Sequence, residues 1–282
     1  MKIYEYLVIL LLLLILFILA NNILKKKENF MNKKIAVITS IYGDYDNLKD
    51  QENVLERDLV DWYCFTDNSK IKSDFWKICN VPYHIINTKN NNDYLKFKNY
   101  YNNIKDHKIY NMMSAKYYKS QMHHIDILQN YDYYIWVDGS MFLRDNFIVN
   151  IFKLIDQDYN LINFKHSVRN NIKDETNVSI NMNKYKYQNI LYQYNSYIED
   201  KFPDNIGLFE KTIFIRKNNE IMNDLFNLWW LNNLEYSYQD QISYPYVLWK
   251  KNIKPDYIIN ENVFNNKNYS YTDNSLNIKH VY

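Results

Sequence analysis

The chain has 282 residues, a formal net charge of +2 and 17% aromatic side chains. A length of this order buries one substantial core with room for a short appendage, and the near-neutral balance lacks the basic excess that drives phosphate-backbone binding, so no nucleic-acid partner is expected. Two cysteines, Cys64 and Cys79, cannot make a disulfide framework, and no Cys/His spacing suggests zinc. Cys64 lies in an apolar run and reads as a buried free thiol, with a bridge to Cys79 as the alternative.

The first element is the run YLVILLLLLILFILA, from Tyr6 to Ala20. With Ile23 and Leu24 it approaches the roughly 20 apolar residues that cross a bilayer. No small-x-small cleavage site follows, because Ala20 leads into Asn21-Asn22 and then Lys25 to Lys27. Residues 1–24 therefore predict a single-pass transmembrane anchor rather than a cleaved signal peptide. Residues 25–33 read as a polar stem, and residues 34–282 as the single large domain. The lysines after the run outnumber Lys2 before it, which would keep the domain on the cytoplasmic side, whereas a Golgi-type enzyme would need the reverse, and both orientations stay open.

KKIAVITS (Lys33 to Ser40) predicts a strand buried on both faces, ending in the polar turn IYGDYD. VDWYCFTD (Val60 to Asp67) repeats the form, and VPYHII (Val81 to Ile86) predicts a third strand. Met112 to Leu128 carries apolar residues at helical spacing, with Lys116 and Lys119 on one face. YYIWV (Tyr133 to Val137) is a further buried strand, stopped by Asp138. Beyond it the pattern predicts a helix over Arg144 to Asp156, strands at Leu161 to Phe164 and Thr212 to Arg216, and helices over Met222 to Leu234 and Gln239 to Lys250.

Continuous apolar strands alternating with helices predict an α/β fold with a mostly parallel sheet covered on both faces. Ligands of such sheets gather at the carboxyl ends of the strands. Three strands here end in acids: Asp44 and Asp46 follow the first, Asp67 the second, and Asp138 the central one. Polar turns close strands in any protein, but three buried strands each ending on a carboxylate mark a candidate crevice. Asp138 is followed by Gly139, one of only three glycines. The expectation is that Gly139 permits a positive φ and a close ligand approach, the alternative being an ordinary turn glycine. A carboxylate so held suits a divalent cation bridging to a diphosphate, magnesium or manganese rather than zinc.

Five stretches carry a family likeness: KIAVITSIYGDYDNL, DWYCFTDN, AKYYKSQMHHIDILQNYDYYIWVDGSMFL, GLFEKTIFIRKNN and SYQDQISYPYVL. Their order, from about Lys34 to Lys250, resembles a glycosyltransferase-like family of plant tapetal and seed-mucilage proteins with bacterial and viral relatives, once known only as a domain of unknown function. The resemblance implies a GT-A-like αβα sandwich for residues 34–282. In GT-A enzymes an Asp-x-Asp motif at a central strand tip holds the metal on the nucleotide-sugar diphosphate. Asp138 matches its first acid, and Ser140 stands where the second is usual.

Further roles are implied in the same way. Thr39, Ile41 and Tyr42 match the place of the nucleoside, Asp67 an acid near the ribose or uridine, Gly139 the close approach of the donor, and Lys119 a phosphate contact. Phe202 to Arg216 and Tyr238 to Tyr244 match acceptor-side motifs, with Glu210 and Asp240 as candidate general bases. Asp240 is alternatively a helix-terminal acid. His166 and His280 are candidates for a further metal ligand, while His123, Trp229 and Trp230 read as packed residues.

The resulting expectation is a membrane-anchored glycosyltransferase using a nucleotide-sugar donor, UDP-linked, and Mn2+ or Mg2+, with a glycan or glycoconjugate hydroxyl as acceptor. A Golgi- or ER-type membrane and a viral host membrane are both compatible. The rival is an inactive, membrane-anchored relative that binds glycans or proteins. A hydrolase has no support, since Gly-x-Ser-x-Gly and His-Glu-x-x-His are missing.

Overall fold

The computed structural model describes residues 10–17, 33–81, 107–260 and 269–271. The expected anchor falls largely outside these. Residues 10–17 are helical with exposed side chains, and among the described residues no helix is long and apolar enough to cross a membrane.

The strands are β1 (Ile35–Ile41), β2 (Asp61–Thr66), β3 (Lys77–Asn80), β4 (Tyr133–Val137), β5 (Met141–Leu143), β6 (Leu161–Lys165), β7 (Phe209–Lys217), β8 (Tyr257–Ile259) and β9 (Tyr269–Tyr271). The helices are α1 (His107–Ser120), α2 (Phe147–Ile155), α3 (Ile172–Ser179), α4 (Ile190–Glu199), α5 (Glu220–Glu235) and α6 (Asp240–Lys250). Seven strands form one sheet in the order β3-β2-β1-β4-β7-β6-β8, and β5 pairs with β9 in a separate ribbon. Only β7 runs against the rest of the sheet.

Period-two alternation sorts the side chains of the central strands into two cores. Ala36, Ile38, Tyr134, Trp136 and Phe214 pack with Met113 of α1, Trp229 of α5 and Tyr244 of α6. Ile35, Val37, Ile135, Val137 and Ile215 pack with Ile148, Ile151 and Phe152 of α2. Burial on both sides explains why these strands read as unbroken apolar runs, and the αβα sandwich expected from them is the architecture found.

Several boundaries moved for local reasons. The third strand is Lys77–Asn80, upstream of the predicted one; Val81 still donates to Thr66 O at 2.7 Å, but Pro82 has no N–H to continue a ladder. The predicted strand beyond Val81 lies outside the described residues. The helix expected to run to Leu128 stops at Ser120, where Gln121 leaves helical geometry (φ −108°, ψ 30°) and donates its amide to Phe226 O at 3.0 Å. Two short 3-10 turns follow, and they keep Met122 and Leu128 buried, which is why the apolar spacing continued past the helix. Both cysteines are free; burial raises the Cys64 thiol to about 12, an inert core group.

One irregularity bears on the site. Pairing between β6 and β7 slips between Asn163 and Phe164, whose partners are Phe214 and Glu210. Residues 211–213 have no partner on β6, while Ile213 still pairs with Val137 of β4. Deeper in, Trp229 is fully buried and donates its indole N–H to Ser243 Oγ at 2.9 Å. Trp229→Ala removes that anchor from the α5–α6–sheet layer and is expected to cost about 3–5 kcal/mol, read as a lowered midpoint of urea unfolding.

Candidate active site

A cleft of about 240 Å3 opens at the carboxyl ends of β1 and β4. Its walls are the loop after β1, Lys116 and Lys119 of α1, the Asp138–Ser140 turn, the irregular start of β7 and the first turn of α6. Of the residues expected from sequence, Ile41, Tyr42, Lys119, Asp138, Gly139, Ser140, Glu210 and Asp240 all line it. Thr39 and Asp67 do not. Thr39 is buried in the sheet, and Asp67 accepts from the Gly43 N–H at 2.8 Å, fixing the turn that follows β1.

Asp138 is held from three sides. Its backbone N–H donates to Thr212 O at 2.8 Å, joining β4 to the irregular stretch of β7. Its Oδ1 accepts from Trp136 Nε1 at 2.6 Å and from Lys119 Nζ at 3.0 Å, with the ammonium also 5.3 Å from the indole ring centre. Its Oδ2 has no hydrogen bond among the described residues, and the side chain remains 32% exposed.

The role expected of Gly139 requires correction. Positive φ among the glycines belongs to Gly43 (+62°) and Gly207 (+95°), not to Gly139. A Cβ at position 139 would instead lie 3.0 Å from the Ile41 side chain and 3.5 Å from Asp46 Cβ. The glycine is needed because the loop after β1 crosses directly over the Asp138 turn. That crossing brings a second acid, Asp46, to the cleft. Burial and then the negative charge of Asp138 push the Asp46 carboxyl up to about 7.

Asp240 is neither a free acid nor a hydrogen-bonding helix cap. It is the first residue of α6, after an N-cap (Gln239) without a side-chain cap bond. Its Oδ2 is shared by Lys116 and by Lys119, the latter at 2.9 Å. Burial alone would raise this carboxyl, yet the two ammonium groups hold it below its usual range. Burial, with repulsion from Lys119, drops Lys116 to about 8. Burial also opposes charge on Lys119, but Asp138 and Asp240 together outweigh it and raise its pKa. The spacing of Lys116 and Lys119 was legible as one helix face; their common partner, 120 residues away or more, was not.

Glu210 lies across the cleft. Burial is the main reason that its carboxyl rises to about 7; the Ser167 N–H, at 3.3 Å, works against the rise and Glu175 adds to it. Beside it Lys211 turns inward, its Nζ 3.4 Å from the ring centre of Tyr244 and 3.1 Å from Asn163 Oδ1. Full burial holds that amine well below the usual lysine range. Lys184, on the 3-10 turn Asn183–Tyr185, also lines the cleft, half-buried, and no sequence motif marked it.

The histidines separate clearly. His123 is packed away from the cleft, its Nδ1 2.9 Å from Arg216 NH2 and its Nε2 3.0 Å from Asn227 Oδ1. Burial, then the Arg216 charge, lower it to about 3, so it serves as a neutral structural link. His166 sits behind Glu210, and His280 lies outside the described residues. No group of three or more His, Cys, Asp or Glu among the described residues is arranged to hold a metal.

The two-lysine arrangement makes a stability prediction. Asp240→Asn leaves buried ammonium groups short of a counter-charge, and removing one partner of a buried pair typically costs about 3–5 kcal/mol. Urea unfolding near neutral pH should show that loss, whereas a midpoint close to wild type would mean that the lysines find other partners.

Among curated proteins none matches the chain. A family model, the TOD1/MUCI70 glycosyltransferase-like domain, matches residues 20–277. That span includes β1 to β9 and every described residue of the cleft, and the chain therefore belongs to the TOD1/MUCI70 glycosyltransferase-like family.

Proposed function

We propose that the protein is a membrane-anchored glycosyltransferase that moves a sugar from a nucleotide-sugar donor, UDP-linked, to a glycan or glycoconjugate hydroxyl. The observation that carries this reading is Asp138, fixed at the tip of a central strand with one carboxylate oxygen turned to a cleft that also holds two titratable acids and four lysines. The mostly parallel sheet with one reversed strand beside β4 suits a GT-A-like enzyme.

The donor set fits a hard cation. Asp138 Oδ2, the Asp46 carboxylate and the Ser140 hydroxyl are all oxygen donors lining one cleft, the preference of Mg2+ or Mn2+. Asp46 takes the place that Ser140 leaves without an acid. Bound there with the donor, the cation supplies charge neutralisation on the departing diphosphate. Lys119, kept charged by two carboxylates, adds a fixed positive charge from α1. Asp240 holds Lys119 and Lys116 in position rather than accepting a proton from substrate. Glu210, near 7, is then the better general base for the acceptor hydroxyl, because a base works best with its pKa close to the ambient pH. The apolar run at the N-terminus would tether the domain to a Golgi- or ER-type or viral host membrane, and the balanced charge leaves nucleic acid outside the set of partners.

Full-length protein incubated with UDP- and GDP-sugars and Mn2+ tests the proposal. Donor turnover that needs the cation is expected, with Asp138→Asn binding UDP and Mn2+ at least about tenfold more weakly, the equivalent of one lost charge-assisted contact. Glu210→Gln should keep UDP binding and lose transfer by about 100-fold or more. Glycan binding without any nucleotide binding would favour the inactive relative instead.

A further inference from the structure

A second cavity, of about 560 Å3, adjoins the candidate active site and plays no part in the steps above. The two share Tyr45, Asn111, Met112, Lys184 and Tyr238 as lining. The outer part of this annex lies among the loop after β1, the first turns of α1 and residues 183–188, and carries Lys108, Lys186 and Tyr187. None of these three lines the inner cleft.

The wall that carries Lys184 and Lys186 is pinned to the residues just before Asp240. The Lys184 carbonyl accepts from the Tyr238 hydroxyl at 2.5 Å, and Gln188 Oε1 accepts from the Tyr238 N–H at 3.3 Å. Tyr185, itself buried, donates its hydroxyl to Gln239 Oε1 at 2.8 Å. The two lysines make no ion pair among the described residues; each ammonium lies over the ring of the next residue, 4.7 Å from the centre of Tyr185 and 5.5 Å from that of Tyr187. Burial is the main influence on Lys184 and lowers its pKa, and the charges of Glu175, Asp240 and Asp138 only partly offset it. The inner cleft is balanced, its four lysines facing four acids, Asp46, Asp138, Glu210 and Asp240. The annex sets Lys108, Lys184 and Lys186 against Asp44 alone.

We propose that this annex is the acceptor subsite and that the acceptor is an acidic oligosaccharide, whose anionic groups meet Lys184 and Lys186 while a neighbouring sugar enters the inner cleft. The inference rests on the transferase reading. In that reading the donor diphosphate is met by Asp138, its cation and Lys119, and a nucleoside carries no charge. The surplus of lysines beyond the diphosphate therefore answers to charge on the other substrate. Tyr187, 57% exposed at the annex, supplies a flat apolar face of the kind sugar rings pack against, with a polar tip beside it. Lys184 lines both spaces, which places it where the acidic chain passes from the annex into the cleft. An anion there restores the counter-charge that burial makes Lys184 need.

Equilibrium binding to the full-length chain tests this without turnover. Calorimetry compares a uronate tetrasaccharide, the same tetrasaccharide with its carboxyls reduced to alcohols, and UDP with Mn2+. The acidic sugar should bind about tenfold more tightly than the reduced one, and added salt should erode that advantage. The double variant Lys184→Gln/Lys186→Gln should lose about tenfold in affinity for the acidic sugar, since each partly exposed ion pair accounts for up to about fivefold. Lys186→Arg, which keeps the charge, should bind it as wild type does. A sulfated tetrasaccharide bound as tightly as the uronate supports the same subsite and assigns it to anionic charge in general. Equal affinity for the acidic and reduced sugars, or none for either, overturns the inference even if the protein transfers sugar. A parallel loss of UDP binding in the double variant assigns the lysines to the donor and overturns it too. Lysine-dependent binding of the acidic sugar with no turnover of any donor sinks the transferase reading instead, and leaves the acidic-glycan site standing.

Discussion

Lys119 is held between two carboxylates from elements far apart along the chain, and the arrangement of the cleft depends on that contact. Asp138 reaches it from the tip of β4 at 3.0 Å, and Asp240 from the first turn of α6 at 2.9 Å. An ammonium that is only 4% exposed remains charged because both acids face it. The same ion joins α1 to α6 across the mouth of the sheet, with Lys116 as a second link one helical turn away. Buried ion pairs contribute little net stability compared with an apolar core; what this one supplies is a defined position for charge at the rim.

Three local devices make that position available. The slip between β6 and β7 leaves residues 211–213 without partners on β6, and the Thr212 carbonyl anchors the Asp138 backbone beyond the β4–β7 pairing. Asp67 fixes the left-handed turn at Gly43, which directs the loop after β1 back over β4. Gly139 has no side chain to obstruct that loop, so Asp46 comes to rest beside Asp138. Each device is a small departure from regular strand geometry, at the end of the sheet where α/β folds bind ligands.

The two halves of the cleft are tuned by different means. Near α1, opposite charges dominate and keep Lys119 and Asp240 ionised. Near β7, desolvation dominates and brings Glu210 to about 7. Permanently charged groups suit the binding of a diphosphate, and a group that titrates near neutrality suits proton transfer; a glycosyltransferase-like domain needs both within one cavity.

The layered α/β architecture was legible in the sequence, because strands buried on both faces cannot avoid long apolar runs, and β4 was readable to the residue from YYIWV. The sequence also marked Asp138 as an acid ending a buried strand at the ligand-binding rim, while Lys119, Glu210 and Asp240 were implied by the family resemblance alone. The helices α3 and α4, only eight and ten residues long, were not read from the sequence, and neither was the early end of α1. Contacts between distant elements settle what each acid touches. Asp240 is committed to two lysines, Asp46 comes to the cleft beside Asp138, and Gly139 serves by its size and not by its φ. These outcomes depend on contacts between residues many tens of positions apart, whereas a sequence pattern records only the few neighbours along one helix face or one strand.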